Sequence, residues 1–181
     1  QATIRAGEIA GLRSHRIINE PTAAAIAYGK HQQGRDSTVF VFDLGGGTFD
    51  VTVMEISGDA LRIIATNGDH RLGGKDWDDV IIKYVAERFE IEHEVNPLES
   101  LNAYQQIQLK VVDAKIQLST LTRANIITHY SGKSLRVELT RQQFEGMTAH
   151  LVERCRSFID VVLHEANRTP QQIDTVLLVG G

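Results

Sequence analysis

The 181-residue chain has a single cysteine, three prolines, no block of lysine or arginine, and no long apolar run. Each shortage excludes something. Cys155 has no partner, so there is no internal disulfide, and a reducing compartment fits. It lies on the stripe Leu151, Cys155, Phe158, Val162 at helical spacing, which reads as a small core hydrophobe rather than a reactive thiol. A net charge of −4 without a basic cluster leaves no electrostatic footprint for nucleic acid or an anionic membrane. No segment approaches the roughly 18 apolar residues of a spanning helix, and no signal peptide is expected. A cytoplasmic location follows as the expectation. Neither an internal repeat nor a low-complexity tract is present. His93-Glu94 and His164-Glu165 both lack a second histidine four residues after the first, which removes the zinc-hydrolase pattern.

Hydrophobic and charged contents of 42% and 23% are ordinary for a soluble globular protein, and the length suffices for one good core or two small ones. The chain starts at Gln1, inside what reads as the later part of a helix (residues 1–12), and stops at Gly181 at the mouth of a strand. Both ends read as cut from something longer.

Periodicity predicts a short strand over 14–19 with Ile17 and Ile18 inside, then a helix with Pro21 in its first turn, where a missing N–H costs nothing, ending at Gly29. A polar loop, 31–37, leads into strands at 38–44, 49–53 and 61–67, read as an antiparallel meander. Composition changes at Gly73-Gly74. A helix follows with Asp76 as its N-cap and Val80, Ile81, Tyr84, Val85 and Phe89 on one face. Asn96-Pro97 breaks it. A second helix, 98–118, puts Leu101, Tyr104, Ile107, Val111, Ala114 and Leu118 inward. Strands at 124–130 and 135–139 flank a Ser131-Gly132 turn. Thr140 with Gln143 forms a capping box for a helix reaching about residue 166. The apolar strand 175–179 reads as central and buried. The expected organisation is α/β: a core subdomain over 1–72 and 147–181, and an inserted helical and β subdomain over 73–146.

One stretch has no plain structural use: V-F-D-L-G-G-G-T-F-D-V-T-V, residues 41–53. A hairpin needs one or two residues of positive φ, not three consecutive glycines. A Walker loop would need G-x-x-x-x-G-K-[ST], and a dinucleotide fingerprint would open a helix; here a strand follows. A strand–turn–strand whose amides face an anion remains, because glycine lets an external group approach the backbone. Asp43 and Asp50 would repel that anion unless a cation lies between, and Mg²⁺ held through its own waters suits carboxylates and the Thr48 hydroxyl. The bland alternative is an ornate hairpin with two solvated acids.

Three further stretches accompany it: I-I-N-E-P-T-A-A-A-I-A-Y-G at 17–29, L-G-G-K-D-W-D at 72–78, and A-K-I-Q-L-S at 114–119, with V-L-L-V-G-G closing the chain. D-L-G-G-G-T-F-D resembles the second phosphate loop of the actin-like ATPase superfamily. The ordered set resembles the nucleotide-binding domain of the seventy-kilodalton heat-shock (DnaK-type) chaperones, over the whole chain but only that domain's second lobe. The resemblance implies an actin-like, ribonuclease H-like lobe with a mixed sheet. Its cofactors would be ATP or ADP with Mg²⁺, and K⁺ as a further cation. In the full-length protein it implies an ATPase that couples hydrolysis to peptide binding, with a J-domain co-chaperone, a nucleotide exchange factor and unfolded peptide as partners, and neither nucleic acid nor membrane.

By match, Gly45, Gly46, Gly47 and Thr48 contact phosphates. Asp43 helps hold the Mg²⁺ hydration shell, Asp50 with Thr48 orders cations and the attacking water, and Glu20 is a further catalytic-site acid. Lys115 and Ser119 belong to the adenosine clamp, and Gly180 and Gly181 begin its other side. Without the resemblance, Lys115 reads as a solvated helix lysine. The family's clamp also carries a glutamate three residues before the lysine; here that residue is Val112. Asp113 is one helical step, about 100°, away, so weaker or less ribose-selective binding is expected. Lys75 stands where an acid is commoner. The first phosphate loop and the catalytic lysine belong to the other lobe, so this fragment is expected to bind nucleotide weakly and not to hydrolyse it. Gly73-Gly74 reads as a hinge on which an exchange factor could open the inserted subdomain. A bacterial actin-like filament ATPase is the alternative, although Thr48-Phe49-Asp50 and A-K-I-Q-L-S favour the chaperone. A sugar kinase leaves N-E-P-T-A-A-A unexplained.

Overall fold

A computed structural model describes residues 2–13, 17–29, 36–58 and 60–181. In order, the elements are α1 (Ala2–Ile9), α2 (Glu20–Gly29), β1 (Ser37–Leu44), β2 (Phe49–Ser57), β3 (Ala60–Asp69), α3 (Gly74–His93), α4 (Leu101–Leu118), β4 (Arg123–Tyr130), β5 (Lys133–Thr140), α5 (Arg141–Glu165) and β6 (Thr175–Gly180). They form two compact units. The first comprises Gln1–Asp43, Asp50–Asn67 and Val161–Val179; the second comprises Leu44–Phe49, Gly68–Asp160 and Gly180–Gly181.

The first unit is organised by a four-stranded sheet in the order β3-β2-β1-β6. The connections between β1, β2 and β3 are too short for anything but antiparallel hairpins, so the expected meander is present. The start of β6 lies beside the start of β1: the Asp174 N–H donates to the Thr38 carbonyl (2.9 Å), and the Thr38 N–H donates to Asp174 Oδ2 (2.7 Å). Strand starts therefore lie side by side, β6 is parallel to β1, and the sheet is mixed. Ala25 from α2 and Val39, Val41 and Met54 from the sheet make the core, with Tyr28, Leu177 and Val179 packed against it. β2 is buried on both faces. Thr52, only 1% exposed, is tolerated because its hydroxyl pairs with that of Thr66 at 2.9 Å.

Two expectations fail in this unit. Among the described strands β6 lies at the edge of the sheet rather than in its centre, and its Val176 and Leu178 are 56% and 79% exposed. Its apolar run reflects sheet propensity on both sides, with burial on one. The predicted strand at 14–19 falls partly outside the described residues. Residues 17–19 carry no regular structure, and Ile17 and Ile18 are exposed, because the chain is already turning into α2.

The second unit packs α3 and α4 against a two-stranded antiparallel sheet, with Arg123 opposite Thr140 and Tyr130 opposite Lys133. Ile81, Val85, Phe89, Ile107, Val111, Leu118, Ile126, Val137 and Leu139 form its core. β4 and β5 bury alternate residues, so period 2 is explicit here. The Thr140–Gln143 capping box is present: each residue's amide donates to the other's side chain, at 2.9 and 3.2 Å. Asp76 is not the N-cap of α3. Gly73 holds that place, and Asp76 sits three residues on, accepting the Gly73 N–H at 2.8 Å. Leu101 is 72% exposed: Ser100 caps α4, which leaves Leu101 in the first turn, ahead of the packed stripe.

Candidate functional site: a glycine turn and the cleft beside it

The glycines form the link between β1 and β2, and the start of α3 holds them. The Gly45 N–H closes the turn on the Thr48 carbonyl (2.9 Å), the Gly74 N–H donates to the Gly45 carbonyl (2.9 Å), and the Lys75 N–H donates to the Gly46 carbonyl (2.9 Å). In a trans peptide the carbonyl and the following N–H point in opposite directions. With the Gly45 and Gly46 carbonyls turned onto α3, the N–H groups of Gly46 and Gly47 face away from it. Among the described residues, no backbone carbonyl accepts them. Both glycines are exposed, neither has positive φ, and a Cβ added to either would meet nothing within 4 Å.

Other glycines at this site have an internal cause. A Cβ on Gly73 would lie 2.4 Å from the Gly47 nitrogen. The backbone there is extended (φ −166°), so space rather than torsion requires glycine, and no hinge is needed to explain it. Gly180 combines φ +103° with a Cβ position 2.1 Å from the Leu44 carbonyl oxygen, so both torsion and space require it.

A cleft of about 510 Å³ opens beside the turn, lined by Gly45, Gly74, Trp77, Lys115, Leu118, Ser119, Arg141, Phe144, Glu145 and Gly181 among others. Lys115 is not a solvated helix lysine. Its Nζ lies 2.7 Å from Asp78 Oδ1 and donates to the Gly74 carbonyl at 3.3 Å, which ties α4 to the start of α3. The Asp78 contact is a charge contact rather than an aligned hydrogen bond. Arg141 donates from Nε to the Leu118 carbonyl (2.8 Å) and from an Nη to the Leu121 carbonyl (2.9 Å). It thereby satisfies carbonyls at the C-terminus of α4, where a cation suits the helix dipole.

The acids that flank the turn in the chain belong to the sheet unit. Asp43, next to last in β1, is 8% exposed. Its carboxyl is pushed above the ordinary carboxylate range by burial first, then by the negative fields of Glu20 and Asp50. Glu20 is the first residue of α2 and Asp50 the second of β2. Three carboxyls thus share one field, and no cation among the described residues is one of its causes, an arrangement that a bound cation would relieve. Among the described residues, no three His, Cys, Asp or Glu side chains converge closely enough to hold a metal by themselves. Direct chelation by protein alone is therefore not what the acids are built for, and a donor set of few carboxylates with water and phosphate oxygens fits Mg²⁺.

Of the residues singled out from sequence, Gly45, Lys115, Ser119 and Gly181 meet in the cleft, and Gly46, Gly47 and Thr48 lie exposed on the turn. Gly180 packs against Leu44. Val112 is half-buried and does not line the cleft. Asp113, its neighbour, accepts from Gln117 at 2.9 Å along the exposed face of α4. Lys75 pairs with Asp79 one helical turn on; its backbone, not its side chain, serves the turn. Sequence reading missed Asp78, Trp77, Arg141, Phe144 and Glu145. Asp78 had a signal, since it closes L-G-G-K-D-W-D. Trp77 lies in the same stretch and shared that signal, whereas Arg141, Phe144 and Glu145 are brought in by α5 and had none.

Comparison with known proteins places the chain firmly. The family profile described as Hsp70 protein matches residues 1–181. The chain is 44% identical over 188 aligned residues to proteins named chaperone protein DnaK in Thermotoga neapolitana and Thermotoga maritima, covering all of this chain and 32% of each relative. A DnaK of Thermosipho melanesiensis is 44% identical over 187 residues, covering all of the chain and 31% of the relative. The chain thus spans about a third of the length of the curated relatives it matches.

Proposed function

The chain belongs to the Hsp70 family, and from that premise we propose that it forms one wall of an ATP site in a chaperone ATPase whose hydrolysis is coupled to peptide binding. The observation that carries this reading is the pair Gly46 and Gly47: glycines with no internal cause, their amides turned outward and their upper face open. Amides so arranged form an anion concavity, and phosphoryl transfer asks chiefly for positioned charge stabilisation.

In this reading Gly45, Gly46, Gly47 and the Thr48 hydroxyl seat the β- and γ-phosphates. Asp43 and Asp50 accept from waters of the Mg²⁺ shell; when bound, the ion neutralises charge on the phosphate oxygens. Asp50 with Thr48 orients the attacking water and a K⁺ ion, and Glu20 is the further acid of the catalytic group. Lys115 and Ser119, with Gly180 and Gly181, hold the adenosine. Lys115 reaches that task already fixed by Asp78, so little side-chain entropy remains to be lost. Val112 leaves the ribose without the clamp's usual carboxylate. Residues 73–146 act as the inserted subdomain whose opening releases ADP. The parent protein works in the cytoplasm with a J-domain co-chaperone, an exchange factor and unfolded peptide. No helix among the described residues is long and apolar enough to cross a membrane.

NMR titration of the 181-residue chain with Mg·ADP tests this. The Gly46 and Gly47 amides should shift first, and Gly47→Ala should abolish their shift. Unchanged Gly46 and Gly47 resonances at saturating millimolar nucleotide would sink the proposal.

A further inference from the structure

The cleft has one acidic lining residue among its described neighbours, Glu145. It sits in the second turn of α5, directly after Phe144, and is exposed. The cleft's cations do not neutralise it. Lys115 is paired with Asp78, and Arg141, one turn before Glu145, commits its guanidinium to the carbonyls of Leu118 and Leu121. Glu145 itself has neither an ion pair nor a hydrogen bond among the described residues. A carboxylate with no partner at a cleft wall is an acceptor for a ligand carrying paired hydroxyl donors.

The acidic alternatives are removed by geometry. Val112 carries no polar atom and lies outside the lining, and Asp113 is engaged by Gln117 on the outer face of α4. Ser119 contributes a hydroxyl on the same wall as Lys115, but a hydroxyl forms a weaker pair than an ionised acceptor. Anions are excluded as the partner of Glu145 by its charge. An apolar ligand would leave the carboxylate desolvated and unpaired.

We propose that Glu145 is the ribose-reading residue of this cleft, accepting the vicinal 2′- and 3′-hydroxyls of a bound nucleoside. It takes the role that Val112 leaves open. The inference rests on the nucleotide reading above, and it assigns Glu145 to specificity, not to the reacting phosphate.

The experiment compares adenosine, 2′,3′-dideoxyadenosine and Mg·tripolyphosphate as NMR ligands for the 181-residue chain and for Glu145→Ala. The unaltered chain should bind adenosine roughly tenfold more tightly than the dideoxynucleoside, as expected for one charge-assisted hydrogen bond. Glu145→Ala should remove that preference while leaving the tripolyphosphate shifts at Gly46 and Gly47 intact. A preference retained in Glu145→Ala, or absent from the unaltered chain while tripolyphosphate still binds, overturns the role of Glu145 alone. Loss of all binding by the unaltered chain, tripolyphosphate included, overturns the nucleotide reading with it. Because Glu145 is exposed and unpaired, its replacement should leave the thermal midpoint unchanged; a large fall would assign it a structural role and overturn the inference.

Discussion

Two pairs of glycines lie within the same unit, and they are glycine for opposite reasons. Gly73 and Gly180 are pressed against the chain itself: a methyl group at either would overlap backbone at 2.4 and 2.1 Å. A Cβ at Gly46 or Gly47 would meet nothing within 4 Å, and neither residue has positive φ. The first pair is explained by folding. The second has no such internal cause, and the proposed nucleotide would supply one from outside. A residue whose identity the fold does not require is where function is best sought, and the same unit supplies the internal control.

Substitutions can break this comparison. Gly73→Ala should have the largest effect. The clash is with the Gly47 and Gly46 backbone rather than a flexible side chain, so the cost should reach about 3 kcal/mol, read as a lowered urea midpoint. If Gly73→Ala unfolds at the same urea concentration as the unaltered chain, the contrast collapses. Gly46→Ala and Gly47→Ala should do the reverse. Stability should hold or rise slightly, because alanine narrows the unfolded ensemble, while Mg·ADP binding should weaken by tenfold or more, the worth of about one charge-assisted hydrogen bond. Equal loss of stability and binding in all three variants would reduce the turn to a structural element.

Smaller effects sharpen it. Val112→Glu should tighten ADP about tenfold if a carboxylate there reaches the ribose; calorimetry showing no gain would place the ribose elsewhere, as the Glu145 inference expects. Asp43→Asn addresses the acids. The folded-state pKa of Asp43 is raised above its ordinary 3.8, first by burial and then by Glu20 and Asp50. The stability linked to its protonated form is therefore complete below 3.8 and lost as pH rises through the folded value. Asp43→Asn should thus be more stable than the unaltered chain at neutral pH, with the gap closing on acidification below 3.8, and it should bind Mg·ADP more weakly. A variant less stable at neutral pH would contradict that linkage.

Much of the fold was legible because its causes are local. The β4–β5 hairpin alternates buried and exposed residues at period 2, and the Thr140–Gln143 box joins residues three apart. The meander is announced by its turns. What escaped depended on partners distant in sequence. The place of β6 in the sheet depends on its pairing with β1, far away in sequence, and an apolar run cannot reveal it. The N-cap of α3 moved from Asp76 to Gly73 because the turn at 45–47 needed the helix amides. The pair Lys115–Asp78 joins residues on two helices, each of which reads alone as a surface charge.

From its order of residues alone, this protein determined that three glycines would lie between two acids at a strand turn, and that the motifs around them belong to one family. Tertiary structure decided which glycines are free. By drawing the Gly45 and Gly46 carbonyls onto α3, the fold turns the next two amides outward, since a planar trans peptide points its donor opposite its acceptor. That direction is a property of the docked helix, and no local sequence rule contains it.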